Sequence, residues 1–150
     1  MELIGSGSVA PSIPGIGFGD GPLVLFFYKV TCPVCQMAAP KVQAFERAYP
    51  GRIVGVGQDP ETKLGDFAHQ FGMTFPSVSD PAPYPASDAY GIGVVPTAFL
   101  IGRDGTVQQS VESWDRDSFN ELSRRLAGSL GSPYVPVSEA GDGLPSFRPG

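Results

Sequence analysis

Cys32 and Cys35 are the only cysteines in the 150-residue chain, and Pro33 and Val34 separate them. Sulfurs so spaced can exchange disulfides, supply part of a metal site, or lie inert in a core. A structural zinc site needs four Cys or His ligands, and His69 is the one histidine available to join the pair. A bridge closing so short a ring restricts the unfolded chain too little to staple a whole domain. The pair therefore reads as a reactive dithiol, with Cys32 and Cys35 as the catalytic residues and no metal or cofactor required.

The elements that must position the sulfurs surround them. Leu23-Val24-Leu25-Phe26-Phe27-Tyr28 is a dense apolar and aromatic run, the pattern of a strand covered on both faces. Val34, Ala38, Val42, Phe45 and Tyr49 then recur on one face of a helix. Pro33 suits its first turn, where a missing N–H costs nothing, while Pro40 predicts a kink. Amide groups at the start of that helix lack internal partners and point toward Cys32, so with the helix dipole they favour thiolate over thiol. Cys32 is the expected attacking sulfur. Cys35, one turn in and more buried, is the expected resolving sulfur. Thr31, Pro33 and Val34 flank them and are expected on the substrate-binding surface.

Ile53 to Gly57 predicts a second buried strand, parallel to the first. Glu61 to Phe71 predicts a helix with Leu64, Phe67, Ala68 and Phe71 inward and Gly72 as its cap. Residues 73–85 read mainly as loop, with a short strand or turn at Ser77-Val78-Ser79 and a helical turn from Ala86 to Tyr90. Thr97 to Ile101 and Thr106 to Val111 predict a hairpin about Asp104-Gly105. Ser118 and Glu121 fit a capping box for a last helix, with Phe119, Leu122, Leu126 and Leu130 inward. Trp114 is expected to pack that helix on the sheet, and His69 to face solvent. This order implies an α/β fold, a central mixed sheet with helices on both faces.

Hydrophobic residues make up 41%, enough for a real core, and the length suits one domain. Residues 1–21 read as an N-terminal arm or edge segment, 22–130 as the compact domain, and the Gly/Pro-rich 131–150 as an appended tail. A net charge of −5 argues against a broad nucleic-acid surface, though a small basic patch stays compatible with it. No run approaches the roughly 18 to 20 apolar residues that insert into a membrane. Met1 to Gly7 lacks a basic region followed by an apolar segment, so the chain as written reads as cytoplasmic. Cytosolic reductant would then keep the pair as thiols between turnovers. The expected partners are a protein or small-molecule disulfide or dithiol substrate and a separate redox partner that resets the pair.

Val95-Pro96-Thr97 is a second motif. Alone, Pro96 reads as an ordinary trans proline leading into a strand. With Cys32-Pro33-Val34-Cys35, Pro40, Tyr90-Gly91, and Phe99-Leu100-Ile101 ahead of Asp104-Gly105, it makes roughly residues 10–130 resemble the thioredoxin-like superfamily, especially TlpA-like and redoxin-type members. The resemblance implies a thiol–disulfide oxidoreductase with a thioredoxin-like domain. It also implies a cis bond before Pro96, packed beside the cysteines, and a substrate groove where the backbone of Val95 pairs with a bound peptide. The stretch between Gln58 and Val95 looks like the inserted helix region of the family.

Two departures stand out. Typical thioredoxins carry a buried acid six positions before the first cysteine, where this chain has Phe26, and commonly Trp just before it, where this chain has Thr31. Proton handling is left to water or to Lys29. Tyr28 aligns with an aromatic near the family's active site, although core packing explains it equally. Lys29 and Tyr28 are thus accessory candidates only. Two functions compete with exchange. One is a thiol peroxidase, but neither cysteine has the family's Thr three positions before it. The other is a non-catalytic binding module whose thiols are inert.

Overall fold

In the computed structural model, which describes residues 2–150, the side chains of β1 (Leu23–Tyr28) alternate between two apolar layers. Val24, Phe26 and Tyr28 enter one layer, Leu25 and Phe27 the other. The chain continues through α1 (Pro33–Ala48), β2 (Ile53–Gly57), α2 (Glu61–Phe71), β3 (Ser77–Ser79) and α3 (Pro85–Ala89). It then forms β4 (Thr97–Ile101), β5 (Val107–Glu112), β6 (Trp114–Asp115), α4 (Arg116–Leu130) and β7 (Phe147–Arg148). The main sheet has the order β3-β2-β1-β4-β5. β1, β2 and β3 run parallel, and β4 and β5 add antiparallel pairs. This is the expected mixed sheet, with β1 at its centre.

The two faces are covered unequally. Phe45 of α1, Phe67 of α2 and Leu122 of α4 share a layer with Phe26 and Tyr28. Tyr90, which follows α3, packs the opposite layer together with Ala10 and Ile13 of the N-terminal stretch. That stretch is tied to the sheet by a bridge between Val9 and Thr106. α1 runs on through Pro40, which sits exposed on its outer side. Gly72 closes α2 at φ +66, a left-handed conformation glycine adopts without strain. His69 is exposed, as expected.

Three local expectations are corrected. The cap of α4 is Asp115, whose carboxylate accepts the Ser118 N–H at 3.2 Å, so Ser118 lies inside the helix rather than at its start. β5 begins one residue late, because Asp104 accepts both the N–H and the hydroxyl of Thr106 in the turn. Leu130, Ala68 and Phe71 are only half-buried at the rims of their helices.

Residues 131–150, expected as an appended tail, run back across α4 and α1. Val137 and Ser138 are buried, and the Asn120 side chain accepts the N–H groups of both and donates to the Ser138 carbonyl. Asp142 accepts from Lys41 at 2.9 Å and from the Ser138 hydroxyl at 2.6 Å. Trp114 is fully buried, stacks on Phe119 at 5.3 Å, and donates from Nε1 to the Pro145 carbonyl at 2.7 Å. It therefore packs the last helix and anchors the tail at once. Replacing Trp114 with Ala should cost about 3–5 kcal/mol, read as a shift in the denaturant midpoint. A loss within about 0.5 kcal/mol, the range of ordinary surface changes, would contradict this packing role.

Candidate active site

α1 starts where β1 leaves the sheet, and a sulfur caps it. Cys32 has extended backbone angles, φ −82 and ψ 115, and its Sγ accepts the N–H of Cys35 at 3.1 Å. Ser, Thr, Asp or Asn usually fills that capping role. Pro33 follows at the first helical position. The preceding turn is held on both sides. Val30 donates its N–H to Asp59 Oδ2 at 2.9 Å, and its carbonyl accepts from the Gln36 side chain at 2.9 Å. The Cys32 N–H closes the turn onto the Lys29 carbonyl at 3.1 Å.

The two sulfurs occupy opposite environments. Cys32 is half-buried and Cys35 has no exposed surface. Hydrogen bonding from the Cys35 side chain is the largest influence on Cys32, ahead of partial burial, which opposes ionisation. The N–H groups of Cys35 and Val34 and the Arg148 guanidinium add to the first effect, and the Cys32 thiol is lowered from about 9 to about 6. Burial, followed by the bond to Cys32, pushes the Cys35 thiol far up. One sulfur is ionised near neutrality and the other keeps its proton.

The bond between Val95 and Pro96 is cis, and the Val95 carbonyl lies 3.5 Å from Cys32 Sγ, within reach of the protonated thiol as donor. The structure thus brings Cys32, Cys35, Val95 and Pro96 together. The sequence profile of the AhpC/TSA family matches residues 17–110. The chain belongs to that family.

Among its relatives, the thiol-disulfide oxidoreductase ResA of Geobacillus thermodenitrificans is 33% identical over 92 residues, 58% of this chain and 52% of that protein. The chain spans about half the length of the curated relatives it matches. The structure of MTB DsbF superposes with a TM-score of 0.62 at 27% identity, over 74% of this chain and 81% of that one. A secreted Mycobacterium tuberculosis disulfide oxidoreductase, described as homologous to E. coli DsbE, gives a TM-score of 0.54 at 24% identity, over 61% and 68% of the two chains. The expected kinship with thioredoxin-like, redoxin-type proteins holds. The expected cytoplasmic placement does not, because a similar fold belongs to a secreted oxidoreductase. With it falls the expectation that cytosolic reductant keeps the pair as thiols. A first stretch without an apolar segment does not define a compartment.

In this AhpC/TSA-family chain the other predicted residues divide. Thr31 and Pro33 are exposed beside Cys32, whereas Val34 is 5% exposed and packs in the core. Tyr28 is fully buried, with its hydroxyl donating to Ser77 Oγ at 2.9 Å and its ring 5.3 Å from Phe67. Phe26, at the acid position of thioredoxins, stacks on Tyr28 at 5.6 Å. The Lys29 ammonium lies over the Tyr84 ring, 5.3 Å from its centroid. Asp59, Gln36 and Arg148 were not foreseen. Asp59 follows β2 as the cysteines follow β1, and loops at the ends of adjacent parallel strands commonly build sites; that signal was available. Arg148 gave none, since it reaches the site only through the fold.

Alkylation of the reduced protein by iodoacetamide should follow from these environments. The Cys32 rate rises with pH as the thiol loses its proton, and should reach half its maximum near pH 6. At pH 7 the thiolate should exceed the thiol by about ten to one. Cys35 should remain unmodified. Mass spectrometry after timed quenching reads both; a Cys32 midpoint near 9 would remove the electrostatic basis of the site.

Proposed function

We propose that this chain is a thiol–disulfide oxidoreductase acting through Cys32 and Cys35 on protein or small-molecule disulfides. The observation that carries the reading is the capped sulfur. Cys32 takes the Cys35 N–H at 3.1 Å while Cys35 itself is fully buried one turn away. ResA of Geobacillus thermodenitrificans, a thiol-disulfide oxidoreductase by name, supports the same chemistry.

In the reducing direction, the Cys32 thiolate attacks one sulfur of a client disulfide. A bond forms between Cys32 and that sulfur, the client bond breaks, and the other client sulfur leaves as a thiolate. Cys35 then gives up its proton and attacks Cys32 Sγ. The Cys32–Cys35 bond forms, the mixed disulfide breaks, and the second client thiol leaves. Two electrons pass from the dithiol to the client, and two protons end on the client thiols. A dithiol partner must reverse this on the protein, and the relative potentials of client and partner set the net direction. Thr31 and Pro33 would touch the client, and the Val95 backbone would pair with it. Water remains the simpler proton carrier, because Lys29 is engaged by Tyr84.

Cys35→Ser should accumulate a covalent adduct with a disulfide-bonded test protein, through Cys32 and released by dithiothreitol. Cys32→Ser should form none, and its turnover should fall to background. Peptide mapping of the adduct checks the linkage. An inert module predicts no adduct with either variant, and a peroxidase predicts peroxide consumption by the wild-type chain well above that of Cys32→Ser.

A further inference from the structure

The end of the tail lies on the active site. β7 pairs with β6, Arg148 opposite Trp114 and Phe147 opposite Asp115, and the Arg116 N–H donates to the Ser146 carbonyl at 2.9 Å. From there Arg148 Nη1 comes within 3.8 Å of Met37 Sδ on α1, two residues after Cys35. Gly150 donates its N–H to Ser113 Oγ at 3.0 Å, and Ser113 in turn donates its own N–H to the Pro96 carbonyl at 2.8 Å. The α-carbon of Gly150 sits so close to the Val95 carbonyl that any side chain there would collide with the Val95 backbone. That carbonyl is the one 3.5 Å from Cys32 Sγ. The last residues therefore rest on the backbone shelf beside the attacking sulfur.

We infer that residues 147–150 are a specificity-determining cover over the client groove. Gly150 occupies the Val95 edge with which a peptide client would pair and Arg148 lies against Met37 of α1, so a protein disulfide must displace the segment, while a small disulfide reaches the half-buried Cys32 without doing so. The inference rests on the exchange reading above. Its hold is light where it must open and firm where it must not. Residues 145–150 are exposed, Phe147 to 54%, and Gly150 is tied by a single hydrogen bond to a side chain. Upstream, Asp142 is clasped by Lys41 and Ser138, with Arg116 at 3.5 Å. Segments held by so few contacts open locally at little cost.

Gly150→Val tests the cover, because the added side chain cannot fit against Val95 and leaves Arg148 on its strand. The reduced full chain is mixed with 2-hydroxyethyl disulfide or with a disulfide-bridged octapeptide, and Cys32 oxidation is followed by stopped flow. The peptide rate should rise about tenfold, the scale of losing one or two weak hydrogen bonds, with the small-disulfide rate unchanged within about twofold. The Cys32 alkylation midpoint should stay near 6. Removal of Pro149 and Gly150 should act in the same direction. A peptide-to-small rate ratio that fails to rise in both variants overturns the cover alone. A wild-type chain that reacts with neither disulfide overturns the exchange reading and the cover with it.

Discussion

The hydrogen bond from the Cys35 N–H to Cys32 Sγ is the interaction on which the rest of this molecule depends. It makes a sulfur the cap of α1, and so ties the acidity of Cys32 to the existence of the helix. The same turn that aims the amide outward carries the Cys35 side chain inward, where burial holds its proton. One backbone segment thus separates two chemically identical groups into an attacker and a reserve. The division needs no third side chain, which explains how the site can exist with Phe26 where thioredoxins carry an acid.

A cap of this kind is useful only if the turn before it cannot move. The Val30 peptide is fixed at both ends, by Asp59 on its N–H and by Gln36 on its carbonyl. Asp59 comes from the loop after β2, the parallel neighbour of β1. The sheet therefore sets the position of the cysteines through a side chain outside the motif. Pro40 has a related consequence. It leaves the Gln36 carbonyl without its usual helical donor, yet α1 persists, because Ala38, Ala39 and Val42 are packed into the core on the other side.

The first two strands and first two helices were legible because each is a local pattern. β1 is apolar on both faces, and α1 and α2 repeat at helical spacing. The cap of α4 departs from the sequence pattern for a physical reason. Asp115 and Ser118 are both good caps, and the choice between them is made by β7, which pairs with Asp115 and holds it extended. That partner lies thirty-two residues away in the chain, at Phe147. The tail itself was illegible for the same reason. It is held by separate polar anchors, namely Asn120, Asp142 and the Trp114 indole, which leave no period in the sequence. Cys32, Cys35 and Pro96 stand out in the sequence and the fold brings them together, whereas Arg148 and Gly150 come near them only through those anchors.

The tail also bears on the balance between dithiol and disulfide. Any interaction that favours the Cys32 thiolate stabilises the reduced state, since the disulfide has no charge to stabilise. The Cys35 side chain and amide supply most of that preference and Arg148 adds to it. The first contribution is internal to the motif, and its amide part persists as long as α1 does. The second arrives on β7, which rests on a two-residue pairing and an exposed surface. Lifting β7 would take that positive charge away from the sulfur and shift the balance toward the disulfide.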